Sequence, residues 1–216
     1  MKAVSPDEPA IILASGSPRR RQLVGRIGFE PRVHVSQIPE EHRSGESPGD
    51  YARRLAAQKA RDVESSLEAN HELPGWILSA DTIVVHDGDI LEKPDDPADA
   101  RAMLSRMSGE RHDVITAFCW RFRAPGADVG QRLEEVVEVR ASVWLRELDE
   151  DMIARYVDTG EPMDKAGSYG IQDVGGVLVR RLEGSYFCIV GLPVCEVVET
   201  LQSMGGLKSY PFSPEF

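Results

Sequence analysis

Residues 11–21 read Ile-Ile-Leu-Ala-Ser-Gly-Ser-Pro-Arg-Arg-Arg. The first four have the length and branching of a buried strand, and Gly16 permits a sharp turn. Ser17-Pro18 is a helix-opening pair. The serine hydroxyl can accept from a free N–H of the first turn, and the proline lacks an N–H that would be unpaired there anyway. A strand, a turn and a helix start packed into so few residues belong to an α/β chain. The same junction aims unpaired N–H groups and the positive end of a helix dipole at the turn. Arg19, Arg20 and Arg21 add fixed charge and forked donors suited to phosphate oxygens. Read this way, residues 17–21, behind the Ser15-Gly16 turn, are an anion socket for a phosphate ester. Taken alone, they are more commonly a capped helix with a solvated basic first turn, so the weighting rests on the remainder of the chain.

Further along, the spacing predicts a second strand over Phe29 to Val35, a loop over Ile38 to Glu46, and a helix opened by Ser47-Pro48 that runs to about Leu67 and carries Lys59. Trp76 to Val85 reads as a strand entering a hairpin at His86-Asp87-Gly88-Asp89, with Asp81 and Thr82 where its first apolar run ends. Asp96-Pro97 caps a helix stopped by Ser108-Gly109. Asp113 to Phe122 and Glu135 to Leu145 are strands joined through Ala124-Pro125-Gly126. In the second, Val137, Val139, Ala141, Val143 and Leu145 share one face and Glu138, Arg140, Ser142 and Arg146 the other, so one sheet face is wet. Met152 to Val157 makes a short helix ended by Gly160. Val177 to Arg181 and Tyr186 to Val190 read as strands, and a last helix opens at Pro193. The order predicts an α/β fold with a mixed, partly antiparallel sheet flanked by helices.

At 216 residues the chain suits one domain, or two closely joined lobes, with an ample core; residues 10–206 are the expected domain and 1–9 and 207–216 flexible ends. Its first residues lack the basic and apolar blocks of a signal peptide, and no run is long and apolar enough to span a bilayer, so a cytoplasmic location without membrane contact is expected. Three cysteines, Cys119, Cys188 and Cys195, form no Cys-x-x-Cys pair and read as buried reduced thiols. A net charge of −11 opposes a nucleic-acid-coating surface, so an anionic ligand must be captured locally. Nothing in the sequence decides between a monomer and a homodimer.

Several residues then qualify for chemistry. Asp81, where a buried apolar run meets polar residues, can project into a cleft at a strand end and suits either a base or a metal ligand, although an aspartate after an apolar run is commonly a turn-maker. Thr82 beside it offers a hydroxyl. Lys93, after the hairpin in Leu91-Glu92-Lys93-Pro94, can reach a phosphate oxygen, as can Lys59; either is also an ordinary surface lysine, and Glu40 an ordinary solvated carboxylate. Glu161 to Gln172 is the richest loop. Its glycines permit close backbone approach, Gln172 can read a base edge, and Asp164 and Lys165 suit either a catalytic role or a mutual pair that holds the loop. His34, His42, His71, His86 and His112 lack zinc-ligand spacing, and the carboxylates suit a hard Mg²⁺ or Mn²⁺. No P-loop, dinucleotide fingerprint or Gly-x-Ser-x-Gly elbow is present.

Taken together, Leu13-Ala14-Ser15-Gly16-Ser17-Pro18-Arg19-Arg20, Ala80-Asp81-Thr82-Ile83-Val84, Leu91-Glu92-Lys93-Pro94, the run from Gly160 to Gln172 and Val190-Gly191-Leu192-Pro193 resemble the Maf family. That family comprises nucleoside triphosphate pyrophosphatases linked to septum formation. The resemblance spans about Ile11 to Met204. It implies a two-lobed fold of the Maf and inosine triphosphatase kind with a central cleft, and hydrolysis of a nucleoside triphosphate to monophosphate and pyrophosphate with a divalent cation. By matching positions, Asp81 is the proton acceptor and Arg19, Thr82 and Gln172 are the specificity positions. Ser17, Arg20, Lys59 and Lys93 hold phosphate, Glu40, Asp164 and Lys165 are further active-site candidates, and Asp81 and Glu40 are candidate metal ligands. The wording around Asp81 and Lys165 resembles the dTTP/UTP branch rather than the 7-methyl-GTP branch. Clearing modified nucleotides and restraining division are the cellular roles it raises. A nucleotide sensor without turnover, or the same chemistry on a modified purine, are the rival readings.

Overall fold

The computed structural model describes residues 10–70, 75–123 and 132–207. In chain order the elements are β1 (Ile11–Leu13), α1 (Pro18–Arg26), β2 (Arg32–Val33), α2 (Pro48–Ala69), β3 (Trp76–His86), β4 (Asp89–Leu91), α3 (Pro97–Met107), β5 (Arg111–Arg123), β6 (Arg132–Leu145), α4 (Glu150–Asp158), β7 (Val179–Glu183), α5 (Tyr186–Val190) and α6 (Val194–Ser203). One seven-stranded sheet runs β2-β1-β3-β5-β6-β7, with β4 also paired to β3. β1 lies parallel to β2 and β3, and the other pairs are antiparallel. The sheet is therefore mixed and helix-flanked, as the element order predicts.

Helix starts follow local chemistry. Ser17, Ser47 and Asp96 each cap with a side-chain oxygen and are each followed by proline. Such a cap stabilises by about 1 kcal/mol. Helix α2 turns Tyr51, Ala52, Leu55, Ala56, Ala60, Val63 and Leu67 onto one sheet face, where Ile77, Ile83, Ile115, Ala117 and Cys119 meet them. Its alanines let the helix approach closely enough for Ser79 Oγ to donate to the Ala56 carbonyl at 2.6 Å. The opposite face packs Leu78, Ala80, Phe118 and Trp120 against Leu23 and Val24 of α1 and Val197, Val198 and Leu201 of α6.

The register of β3 creates the opening. β5 pairs along one edge of β3 from Trp76 to Val85. On the other edge β1 covers Trp76 to Leu78 and β4 covers Val84 to His86. Between those two partners lie Asp81 and Thr82, and strand alternation sends their side chains to opposite faces.

Several sequence expectations need correction. Asp81 is not at a strand end: Ile83-Val84-Val85 keep pairing, so it sits inside an 11-residue strand. The strand expected over Phe29 to Val35 shrinks to Arg32–Val33, because β1 offers two registered partners and Pro31 supplies no N–H. Tyr186–Val190 is helical. Ser185 accepts from Cys188 N at 3.3 Å and Gly191, at φ 114°, closes the turn. The strand expected from Val177 begins at Val179, after a 3-10 turn over Val174–Leu178. Cys195 is exposed, whereas burial pushes the Cys119 and Cys188 thiols up to about 12 and about 11. Leu207, assigned above to a flexible end, is buried in the α1–α6 cluster. The Ala124-Pro125-Gly126 connection lies outside the described residues, as do residues 1–9 and 208–216. Among the described residues no helix is long and apolar enough to cross a membrane.

Candidate active site

On the α2 face, Lys59 projects to the exposed stretch of β3. Its Nζ lies 2.7 Å from Asp81 Oδ1 and 2.7 Å from Glu40 Oε1, so those two oxygens are within twice that distance of each other. Asp81 is 5 % exposed and Lys59 8 %. Burial makes this pairing necessary, since an unpaired charge at such a depth would be strongly unfavourable. The buried Tyr51 hydroxyl donates to Glu92 Oε1 at 2.7 Å and stands 3.2 Å from the Glu40 carbonyl oxygen, tying the loop before α2 to the end of β4. Burial raises the Tyr51 pKa, and the neighbouring Glu92, Asp81 and Glu40 charges raise it further, so its hydroxyl stays a donor.

On the other face Arg20 is held at three points. Nε donates to the Gly191 carbonyl at 2.8 Å, one terminal nitrogen to Ser15 Oγ at 3.1 Å and the other to Thr82 Oγ1 at 2.9 Å. Thr82 in turn meets Thr116 Oγ1 at 2.9 Å, and Thr116 donates to the Cys188 carbonyl at 2.7 Å. Burial lowers the Arg20 pKa, while the Asp81 and Glu40 charges act against that shift. The guanidinium remains charged, as arginine does in proteins.

At the rim, Arg19 donates to Asp164 Oδ2 at 3.0 Å, and Lys165 Nζ donates to Asp164 Oδ1 and to the Glu161 carbonyl, each at 2.7 Å. Burial tends to raise the Asp164 pKa, but the Lys165 hydrogen bond and the Arg19 charge outweigh it and the net shift is downward. Ser17, which caps α1, the exposed Lys93, and the half-buried Gln172 line the same cleft. Arg21 is exposed on α1 and does not line it.

Apart from Arg21, these candidates converge on one cleft of about 530 Å³, within the usual range for small-molecule sites. Arg19 and Asp81, 62 positions apart in the chain, both line it. Tyr51, Glu92, Ser15 and the Gly191 carbonyl also belong to this surface, and sequence reasoning assigned them no part. Tyr51 carried a signal, because a tyrosine at a core position of a helix needs a partner for its hydroxyl. Among the described residues no group of three or more His, Cys, Asp or Glu gathers to hold a metal. Asp81 and Glu40 nonetheless present adjacent hard oxygens at the cleft, a donor set that suits a Mg²⁺-like ion sharing substrate phosphates and water rather than one caged by protein.

A buried aspartate ringed by arginine and lysine at a gap in a mixed sheet defines a site for a polyanionic ligand in an α/β protein. The chain belongs to the Maf family: the model described as Maf-like protein matches residues 10–204. It is 45 % identical over 202 residues to the dTTP/UTP pyrophosphatase of Geobacter metallireducens, covering 94 % of this chain and all of that protein. It is 44 % identical to the protein of the same name from Hahella chejuensis, over 93 % of this chain and 95 % of that one. A solved structure, that of the Staphylococcus aureus Ham1 protein, superimposes with a TM-score of 0.47 at 11 % identity, covering 90 % of this chain and 99 % of the other.

Proposed function

We propose that the protein hydrolyses dTTP and UTP to the nucleoside monophosphate and pyrophosphate. One observation carries this reading: Asp81 is fixed by Lys59 where the edge of β3 is uncovered between β1 and β4, and Arg20 bonds the neighbouring Thr82 on the opposite sheet face. Family membership and the names of its relatives point the same way.

In this mechanism Arg20, Lys59 and Lys93 bind the triphosphate, with the positive end of the α1 dipole at Ser17 completing the socket. Lys59 orients Asp81 through Oδ1, and the second carboxylate oxygen takes a proton from the attacking water. The water adds to the α-phosphorus, the bond to the bridging oxygen breaks, and pyrophosphate leaves with its charge neutralised by the same cations. Glu40, beside Asp81, would help hold the divalent cation, which would supply charge neutralisation and orientation of the phosphates; Asp81 would join it as a ligand only in place of its role as base. Gln172 and Thr82 flank the nucleoside, Gln172 reading the pyrimidine edge through its amide, and Arg19 stands beside them at the rim.

The test is a panel of dTTP, UTP, 7-methyl-GTP and ITP with Mg²⁺ or Mn²⁺, in which phosphate and pyrophosphate are detected separately. Pyrophosphate and monophosphate in equal amounts, fastest from dTTP and UTP, are the expected products. Tight binding of dTTP with no product would identify a sensor instead, and release of single phosphates would refute attack at the α-phosphorus.

A further inference from the structure

Among the described residues Gln172 itself makes no hydrogen bond that would aim it, yet the backbone on both sides of it is tied to one pair of residues. The Tyr156 hydroxyl, on α4, accepts from Gly170 N at 3.0 Å and donates to Glu161 Oε1 at 2.9 Å. The Glu161 carboxylate then accepts from Val174 N and Gly175 N, each at 3.0 Å. Lys165 closes the other side of the loop by donating to the Glu161 carbonyl. Two positions before Gln172 and two and three after it, the chain is thus pinned to a phenol and a carboxylate that are bonded to each other. Tyr156 is 4 % exposed and packs in the α3–α4 core, so the anchor is rigid. The close fit explains the composition of the loop. A Cβ on Gly175 would collide with the Tyr156 hydroxyl, and one on Gly170 would lie 2.6 Å from Lys165 Cε.

We propose that Glu161 and Tyr156 are positioning residues for base selection: together they hold the 170–175 backbone so that Gln172 faces the pyrimidine edge. This rests on the functional reading above. Neither residue touches the triphosphate, which is gripped from α1, α2 and the β4–α3 segment, so loss of the clamp should degrade base recognition and spare the phosphate grip.

Tyr156→Phe removes one donor and one acceptor while keeping the ring. With it, KM for dTTP should rise about tenfold, the scale of one lost charge-assisted hydrogen bond, with kcat nearly unchanged. The kcat/KM preference for dTTP over dATP should fall by a similar factor. The inhibition constant of inorganic tripolyphosphate should stay within about twofold. Glu161→Gln, which keeps an acceptor, should show a milder form of the same pattern than Glu161→Ala. Hydrogen exchange provides a readout independent of turnover: the Gly170, Val174 and Gly175 amides should exchange faster in Tyr156→Phe. An unchanged dTTP to dATP ratio overturns the proposal, as does a tripolyphosphate constant that rises in step with KM, since that marks general damage to the cleft. If the wild-type protein releases no pyrophosphate from dTTP, the functional reading fails, while unchanged amide exchange in Tyr156→Phe separately refutes the clamp.

Discussion

Lys59 on α2 and Asp81 on β3 form a buried ion pair at 2.7 Å, on the stretch of β3 left uncovered after β1 stops pairing at Leu78. The lysine keeps the carboxylate in place inside the fold, and the missing strand lets solvent and ligand reach it. Stability and proposed chemistry therefore share the same two side chains.

Replacing Asp81 by Asn retains size and one acceptor but removes the proton acceptor. The kcat for pyrophosphate release from dTTP should fall by about 10²–10⁴-fold, the usual contribution of a positioned general base. Lys59→Met should instead lower stability by about 3 kcal/mol, because it leaves the Asp81 charge buried and unpaired. The double variant should recover much of that loss. Urea denaturation combined with pyrophosphate assay measures both, and full activity in Asp81→Asn would remove the aspartate from the mechanism.

Arg20 joins Ser15, Thr82 and Gly191, three segments otherwise unconnected at this edge of the sheet. Lysine cannot reproduce a three-point fork. Arg20→Lys should cost about 2 kcal/mol of stability and reduce kcat/KM at least about tenfold, by loss of charged hydrogen bonds and of the phosphate donor. Equal kcat/KM for variant and wild type would show that Arg20 serves the fold alone.

His112 is 2 % exposed, with Nε2 2.7 Å from the Tyr169 hydroxyl. Burial, assisted by the nearby His86 charge, pushes its pKa down to about 4 from 6.5. In the unfolded chain this imidazole takes up a proton near pH 6.5, whereas the folded protein refuses it until about pH 4. Stability should therefore decline as pH falls through that window, with no further loss from this group below it. Between pH 7.5 and 5 the wild type should lose about 2 kcal/mol more than His112→Gln, which keeps a hydrogen-bonding group but does not titrate. Parallel slopes in urea denaturation across that range would show that His112 is not the source.

Much of the site was legible in the chain. The caps at Ser17, Ser47 and Asp96 announced three helices because capping depends on neighbours within one turn. The resemblance singled out Arg20, Lys59, Asp81, Lys93 and Gln172, all of which line the cleft. The β-branched and aromatic content of Tyr186 to Val190 suits a strand, which is why the sequence predicts one there. Two residues just outside it, Ser185 as cap and Gly191 at positive φ, decide for a helix instead.

Local order was thus written in the sequence: where helices begin, which side chains alternate along β3, and where cations and carboxylates occur. Tertiary structure alone decided which of them became partners. Arg20 meets the Gly191 carbonyl from 171 positions away and Arg19 meets Asp164 from 145, and no short-range preference can specify such pairings. They arise because α2 and α1 pack on opposite faces of one sheet whose β1 strand is too short to cover Asp81 and Thr82.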